Sequence, residues 1–296
     1  MKKVLVAGAT GYLGKYVTRE FKERGYWVRV LVREKSLNKL EEVGPFLQPL
    51  IKDYIDDIFI GEITEPRTLQ GLCNDIDIVF SSVGITRQRD KVSFWDVDYR
   101  GNKNILELSL NAGVQKFIFV SAFNAHLFSE LEIAKAREKF VEDLKNSGID
   151  YTVIRPTGYF SDATEFLNMA LSGRVYLIGK GENKINPIHG ADLAKVCVDA
   201  AEKGERDIPV GGPVVYTYRG IAELAFSVIG SKPKITSVPV TPLKLLVETI
   251  RPFNKHYYTL AKFFLTAMQN DFVAPQTGNH TLEKYYEEFL RHRSKK

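Results

Sequence analysis

Cysteine is nearly absent. Only Cys73 and Cys197 occur in 296 residues, far apart and without a Cys-x-x-Cys pair, which argues against a disulfide framework or a thiolate metal site and leaves two buried thiols as the expectation. The five histidines (His126, His189, His256, His280 and His292) are scattered, with no two at the i, i+4 spacing that places ligands on one helix face, so no metal is expected. Long apolar runs are missing too. None reaches the roughly 18 to 20 residues that span a bilayer, and the opening MKKVLVAGATGYLG meets glycine after an apolar run too short for a signal-peptide core. The formal charge of +5 is mild, and the cations are dispersed among acids except near the C-terminus, so the dense basic face of a nucleic-acid binder is not expected. With 44% hydrophobic and 26% charged residues, neither disorder nor a membrane protein is indicated. The expectation is a cytoplasmic globular protein whose length suits one α/β domain with a smaller second lobe.

What is present is alternation. KVLVAG (3–8), WVRVLV (27–32), DIVFSSVG (77–84), KFIFVSA (116–122) and DYTVIRP (150–156) are short runs rich in Val, Ile and Phe, as expected of strands buried on both faces, and DIFIGEI (57–63) supplies another. Helical patterns lie between them at about 12–24, 66–72, 92–112 and 131–147. Such alternation demands right-handed crossovers and a doubly wound parallel sheet covered by helices on both sides. The regularity ends near residue 156. A proline- and glycine-punctuated stretch follows, then a helix at 190–203, a weak strand and helix at 213–229, and a helical tail at 241–292 interrupted at Pro252 and around Pro275. The expected division is a nucleotide-binding domain over 1–156, with 190–216 returning to it, and a mostly helical substrate lobe over 157–296. There is no internal repeat or low-complexity linker, and nothing in the sequence marks an oligomeric state.

The first strand runs directly into Gly8-Ala9-Thr10-Gly11-Tyr12-Leu13-Gly14 and then a helix. Glycines there let the backbone turn tightly and approach a pyrophosphate, while the helix N-terminus offers N–H groups and partial positive charge. The spacing is G-x-x-G-x-x-G, and its position between the first strand and first helix of a βαβ unit gives it weight. At the end of the second strand, where an acid would bind the ribose of NAD, Arg33 stands nineteen residues after Gly14 and is followed by Glu34. A guanidinium grips a 2′-phosphate through two N–H groups, so NADP(H) is preferred, with NAD(H) as the alternative.

These features resemble the atypical and extended branches of the short-chain dehydrogenase/reductase superfamily, which implies a Rossmann domain. ATGYLG resembles the nucleotide loop, and GEITEP (61–66) resembles the third-strand motif, placing Glu62 and Ile63 at the adenine. SSVG (81–84) resembles the loop lining the nicotinamide ribose, implicating Ser82, Val83 and Gly84. VDYRGNKNIL (97–106) resembles the helix beneath the cofactor, with Asp98 where asparagine is common, and FVSAFNA carries Ser121 at the active-site serine position. VIRPTGYF resembles the loop over the nicotinamide, implicating Pro156, Gly158 and Tyr159, while NPIHGADLA resembles a substrate-lobe segment. RPTGYF, the 165–194 stretch and the helical tail together are similar to the branch that includes divinyl chlorophyllide vinyl reductases. Related branches include isoflavone-reductase-like enzymes and non-catalytic sensors of the nitrogen-metabolite repressor type.

In standard members a Tyr-x-x-x-Lys pair on one helix face supplies the proton donor, its lysine holding the ribose and lowering the tyrosine's pKa. Here LEIAK retains Lys135 and puts Leu131 in the tyrosine's place. General acid assistance is worth about 10²- to 10⁴-fold, so hydride transfer to a conjugated carbon, whose product water can protonate, survives the loss better than ketone reduction. Candidate donors are Lys135 itself in a dry pocket, then Tyr159, then His126. The expectation is an NADPH-dependent oxidoreductase acting on an apolar or conjugated small molecule. The alternative is an NADP(H)-binding sensor or assembly protein without turnover. His189 and Asp192 fit a turn into the 190–203 helix, and Ser121 fits either a strand end or a place near the nicotinamide. The stretch 241–269 has Lys244, Arg251, Lys255 and Lys262 among Leu, Ile and Phe with Glu248 as its only acid. That pattern suits helices closing the substrate lobe, with contact to an anionic membrane surface as the other reading.

Overall fold

The computed structural model describes residues 1–85, 92–253 and 255–294; the side chains of Lys255 and His256, and Lys295 and Lys296 of the basic tail, lie outside the described residues. The strands and helices in chain order are β1 Lys3–Ala7, α1 Tyr12–Glu23, β2 Trp27–Val32, β3 Asp57–Ile60, β4 Ile78–Ser81, α2 Asn102–Asn111, β5 Lys116–Val120, α3 Glu132–Asn146, β6 Asp150–Pro156, α4 Phe160–Leu171, β7 Val175–Ile178, β8 Lys184–Ile185, α5 Gly190–Asp199, β9 Asp207–Val210, β10 Tyr216–Thr217, α6 Tyr218–Val228, β11 Ile235–Val238, α7 Val240–Ile250, α8 Lys255–Met268 and α9 Leu282–Arg293.

Seven strands form the main sheet in the order β3-β2-β1-β4-β5-β6-β9. Pairing is parallel from β3 through β6, with Val4 opposite both Val28 and Ile78 and Ile118 opposite Phe80 and Thr152. The order reverses direction between β1 and β4, the switch point at which doubly wound sheets bind ligands. Successive side chains alternate faces. Leu5, Ala7, Val79, Phe117 and Phe119 join Phe140 and Leu144 of α3 and Ile105 of α2 in one continuous core. On the other face Phe21 of α1 meets Phe80 edge-on at 6.5 Å. Helix α1 forms because Leu13, Tyr16, Val17 and Phe21 recur at helical spacing and are buried.

Two compact units result. Unit 1 comprises residues 1–122, 132–155 and 190–208; unit 2 comprises 123–131, 156–189 and 209–296. The excursion of residues 123–131 into unit 2 is announced by nothing in the strand–helix alternation. Neither is α4, which the punctuated sequence after residue 156 hides: its glycines, Gly158 and Gly173, lie just outside it, while Phe160, Ala163, Leu167 and Ala170 make a buried helical stripe. The helix expected at 66–72 is only a 3-10 turn, Pro66–Leu69. The helix expected at 92–112 opens as a π-helical turn, Trp95–Gly101, before α2. In that turn the Asn102 side-chain amide donates to the carbonyls of Asp98 at 2.9 Å and Val97 at 3.4 Å.

In unit 2 the fully buried Asn186 ties three segments. Its Nδ2 donates to the carbonyls of Gly212 at 3.1 Å and Ala274 at 2.9 Å, and its Oδ1 accepts from the Ala274 N–H at 3.1 Å. Phe128 stacks on Phe263 at 4.8 Å and lies 5.6 Å from Phe272. Cys73 and Cys197 are both buried, and burial pushes both thiols up. No helix among the described residues is long and apolar enough to cross a membrane.

Candidate functional site

Parallel register aligns the carboxyl ends of the strands in unit 1. Ala7 stands opposite Leu31 and Ser81, Val32 opposite Ile60, Ser81 opposite Phe119, and Val120 opposite Ile154. Gly8, Arg33, Ser82 and Ser121, each the first residue past its strand, therefore emerge at one edge of the sheet.

The turn after β1 is built so closely that side chains are excluded. Gly8 has φ +89°, and a Cβ there would stand 2.9 Å from Ser82 Oγ. A Cβ on Gly14 would meet the Gly8 carbonyl oxygen at 2.0 Å, so α1 packs on the turn at a distance only glycine permits. The Gly11 N–H donates to Gly8 O at 2.9 Å. Gly11 caps α1 in extended backbone with no side-chain cap and no acid in the first turn, and the Lys15 N–H reaches Gly11 O at 3.3 Å. The N–H groups ahead of Lys15 and the positive end of the helix dipole fit the pyrophosphate of a dinucleotide. Thr10 is half-buried in this turn. The Tyr12 hydroxyl accepts from the Gly190 N–H at 3.2 Å, joining α1 to α5, and Leu13 is buried in the core.

Arg33 is exposed at the end of β2, where its carbonyl accepts from the Ser36 N–H at 2.8 Å and opens a 3-10 turn. Glu62 is half-buried, and its N–H donates to Thr68 Oγ1 at 2.9 Å. Ile63 is held by Asn104 Nδ2, which donates to its carbonyl at 2.8 Å, and by Gly101, where a Cβ would lie 2.6 Å from Ile63 Cδ1.

Behind Ser82, Val83 and Gly84 lies a polar network. Ser81 Oγ donates to Asn102 Oδ1 at 2.6 Å, and Asn102 Nδ2 donates to Val83 O at 3.2 Å. Fully buried Asp98 accepts from the Ile85 N–H at 3.1 Å and from Arg137 Nε at 2.8 Å. Burial pushes the Asp98 carboxyl up, and the Arg137 guanidinium pulls against that. A Cβ on Gly84 would strike Arg137 at 2.2 Å and Asp98 at 2.6 Å, so the loop lies directly on the ion pair. Sequence reasoning marked Asp98 only as a departure from asparagine and missed Arg137, because a lone cation in a charged helical pattern reads as a solvated face.

Ser121 is buried at the end of β5. Its hydroxyl donates to Glu138 Oε1 at 2.5 Å, and Arg155 joins Glu138 at 2.9 Å and Asp207 at 2.8 Å. Its partners make it part of an ion-pair network linking β5, α3, β6 and β9. Lys135, on α3, has a side chain 44% exposed and lies 3.6 Å from Glu132. Those are wet surroundings, unlike the dry pocket on which a general-acid lysine depends. Leu131 is buried, its N–H donating to Phe128 O at 2.8 Å. In unit 2, Pro156 O accepts from the Phe123 N–H at 3.0 Å and Gly158 O from the Ile188 N–H at 2.8 Å. Tyr159 caps α4, its N–H donating to Asp162 at 3.2 Å. His126 is exposed in a 3-10 turn, and His189 stacks on His280 at 4.2 Å. Asp192 is buried in the first turn of α5 in unit 1. No group of His, Cys, Asp and Glu among the described residues is arranged to hold a metal ion.

Comparison with known proteins agrees with this geometry. The chain is 27% identical to the chloroplastic divinyl chlorophyllide a 8-vinyl-reductase of Arabidopsis thaliana, over 95% of this chain and 72% of that protein. It is 28% identical to the photosystem II assembly factor Ycf39 of Synechocystis sp., over 86% of this chain and 76% of that protein. Among solved structures, the NADPH-dependent quinone oxidoreductase of Escherichia coli superposes with a TM-score of 0.72 at 18% identity, over 97% of this chain and 99% of that one. The Citrobacter sp. triphenylmethane reductase does so with a TM-score of 0.73 at 16% identity, over 98% of this chain and all of that one. At such identities these two show the shared Rossmann fold. The profile described as NAD(P)H-binding matches residues 8–203, well over half of the chain, from the glycine turn through β6 and α5. The chain therefore belongs to the NAD(P)H-binding family.

Proposed function

We propose that this protein is a reductase that uses NADPH in preference to NADH and acts on an apolar, conjugated acceptor of the enone, quinone or vinyl class. The observation that carries the reading is the side-chain-free turn of Gly8, Gly11 and Gly14 at the positive end of α1, with Arg33 exposed at the same edge of the sheet. When bound, the dihydronicotinamide supplies a hydride. The protein's own part is to bind and orient. The helix end holds the pyrophosphate, Arg33 the 2′-phosphate, and Lys135, as an accessible cation, the ribose hydroxyls. A conjugated acceptor suits a helix that carries Leu131 in place of tyrosine. The anion left by hydride addition is stabilised by conjugation and is protonated by water or Tyr159, without a buried acid. Relatives and structural neighbours named as vinyl, quinone and dye reductases support this class of acceptor.

A second reading, binding of NADP(H) without turnover in an assembly or sensing role, is favoured by buried Leu131 and by the relatives named as assembly factors. The deciding measurement is NADPH fluorescence with the full chain, followed by addition of quinones, enones and vinyl porphyrins. Acceptor-dependent loss of signal, slowed at least about tenfold by Lys135→Met through loss of the ribose contact that positions the nicotinamide, is the expected result. Tight NADPH binding with no consumption across the panel would favour the second reading.

A further inference from the structure

The α7–α8 pair of unit 2 is apolar on more than one side. Val247 of α7 is buried, Leu265 of α8 is buried, and Phe263 stacks on Phe128 at 4.8 Å, which accounts for the inner face. Yet Leu245 is 67% exposed, Leu246 59%, Phe253 88% and Tyr257 62%. Apart from Met1, these four are the most exposed large apolar side chains among the described residues. A surface helix ordinarily puts polar residues at such positions, and a helix apolar all round is one that something covers.

Charge identifies the cover. Between residues 240 and 264 the sequence has four Lys or Arg and one acid, Glu248. That acid is already engaged: Lys262 Nζ lies 2.7 Å from it and the Tyr258 hydroxyl 3.4 Å. Lys244 and Arg251 are exposed beside the apolar side chains, so the outer face is greasy and cationic together. A two-fold pairing with a second copy would bring two faces of the same positive sign together. A bilayer with anionic headgroups matches both features, taking leucine and aromatic side chains into the acyl boundary and Lys and Arg at the phosphates. With 11 and 14 residues, α7 and α8 fall short of the roughly 20 that cross a bilayer, so they lie along its surface.

We propose that the outer face of α7–α8 docks this protein on an anionic membrane surface, with Leu245, Leu246, Phe253 and Tyr257 entering the interface and Lys244 and Arg251 at the headgroups. Docking is independent of the cofactor. It is tested by flotation of the full chain, without NADPH, on vesicles of phosphatidylcholine alone and of phosphatidylcholine mixed with phosphatidylglycerol. The expected result is flotation on the mixed vesicles, weakened by salt and by removal of phosphatidylglycerol. The combined Leu245→Ser, Leu246→Ser and Phe253→Ser variant should lose at least about tenfold in partitioning, and Lys244→Glu with Arg251→Glu a similar amount. A dye on Phe253→Cys, where Cys73 and Cys197 are buried and unreactive, should shift to the blue on the mixed vesicles. Absence of flotation by the unaltered protein overturns the proposal, as does equal flotation by the serine variant. Self-association that the serine variant abolishes, with no vesicle binding, would assign the face to a second copy and overturn it as well.

Discussion

Replacing Arg137 with methionine should destabilise unit 1 by about 3 kcal/mol at neutral pH. The magnitude follows from the surroundings of Asp98. Its carboxylate is fully buried and has Arg137 Nε at 2.8 Å and the Ile85 N–H at 3.1 Å. Removing one partner of a buried pair costs about 3–5 kcal/mol because the other charge stays buried and uncompensated. Arg137 is 20% exposed, so water already shares its solvation and the lower end applies. The pH dependence has a definite sign. Burial raises the Asp98 carboxyl above its ordinary range while Arg137 pulls it down, so the variant raises it further. A carboxyl with a raised folded-state pKa contributes stability that is present below its unfolded value and is lost as pH rises through the folded one. The deficit of the variant is therefore full at neutral pH and narrows in acid. Adding Asp98→Asn removes the charge yet keeps an oxygen for the Ile85 N–H, so the double variant should regain most of the loss and show a pH-independent deficit. Urea unfolding followed by tryptophan fluorescence measures this selectively, because Trp27 and Trp95, the only tryptophans, both belong to unit 1. A loss below about 1 kcal/mol, or a gap between Arg137→Met and the unaltered protein that does not change with pH, would refute the reasoning.

Three further outcomes are expected. Arg33→Glu should weaken NADPH on the order of a hundredfold and NADH only a few-fold; equal losses in fluorescence titrations would remove Arg33 from the phosphate site. Gly14→Ala, whose Cβ would meet Gly8 O at 2.0 Å, should force α1 off the turn, lowering unit 1 stability by about 1–3 kcal/mol and NADPH affinity by at least about tenfold. Undiminished affinity would show that the turn does not hold the pyrophosphate. Asn186→Ala removes two donated bonds and one accepted bond in a buried site, and should cost unit 2 about 3–5 kcal/mol. Limited proteolysis that maps cleavage within unit 2 checks this, and unchanged protection would count against it.

The sequence by itself determined what depends on short-range period and on the stereochemistry of single residues. β1, β2, β4, β5 and β6 were legible because strands buried on both faces are unbroken apolar runs, and their alternation with helices admits few topologies. The glycine turn was legible because Gly8 and Gly14 stand where no side chain fits, and spacing alone records that. Tertiary structure decided the rest. β9 has a single buried residue, Val210, and reads as a loop; it belongs to the sheet through bonds such as Val153 N–H to Arg206 O at 2.9 Å, made across 53 residues. The Asp98–Arg137 pair spans 39 residues, and the Asn186 bonds to Ala274 span 88. Whether a polar side chain is solvated or buried is set by partners that only the folded chain brings near, and local pattern carries no record of them.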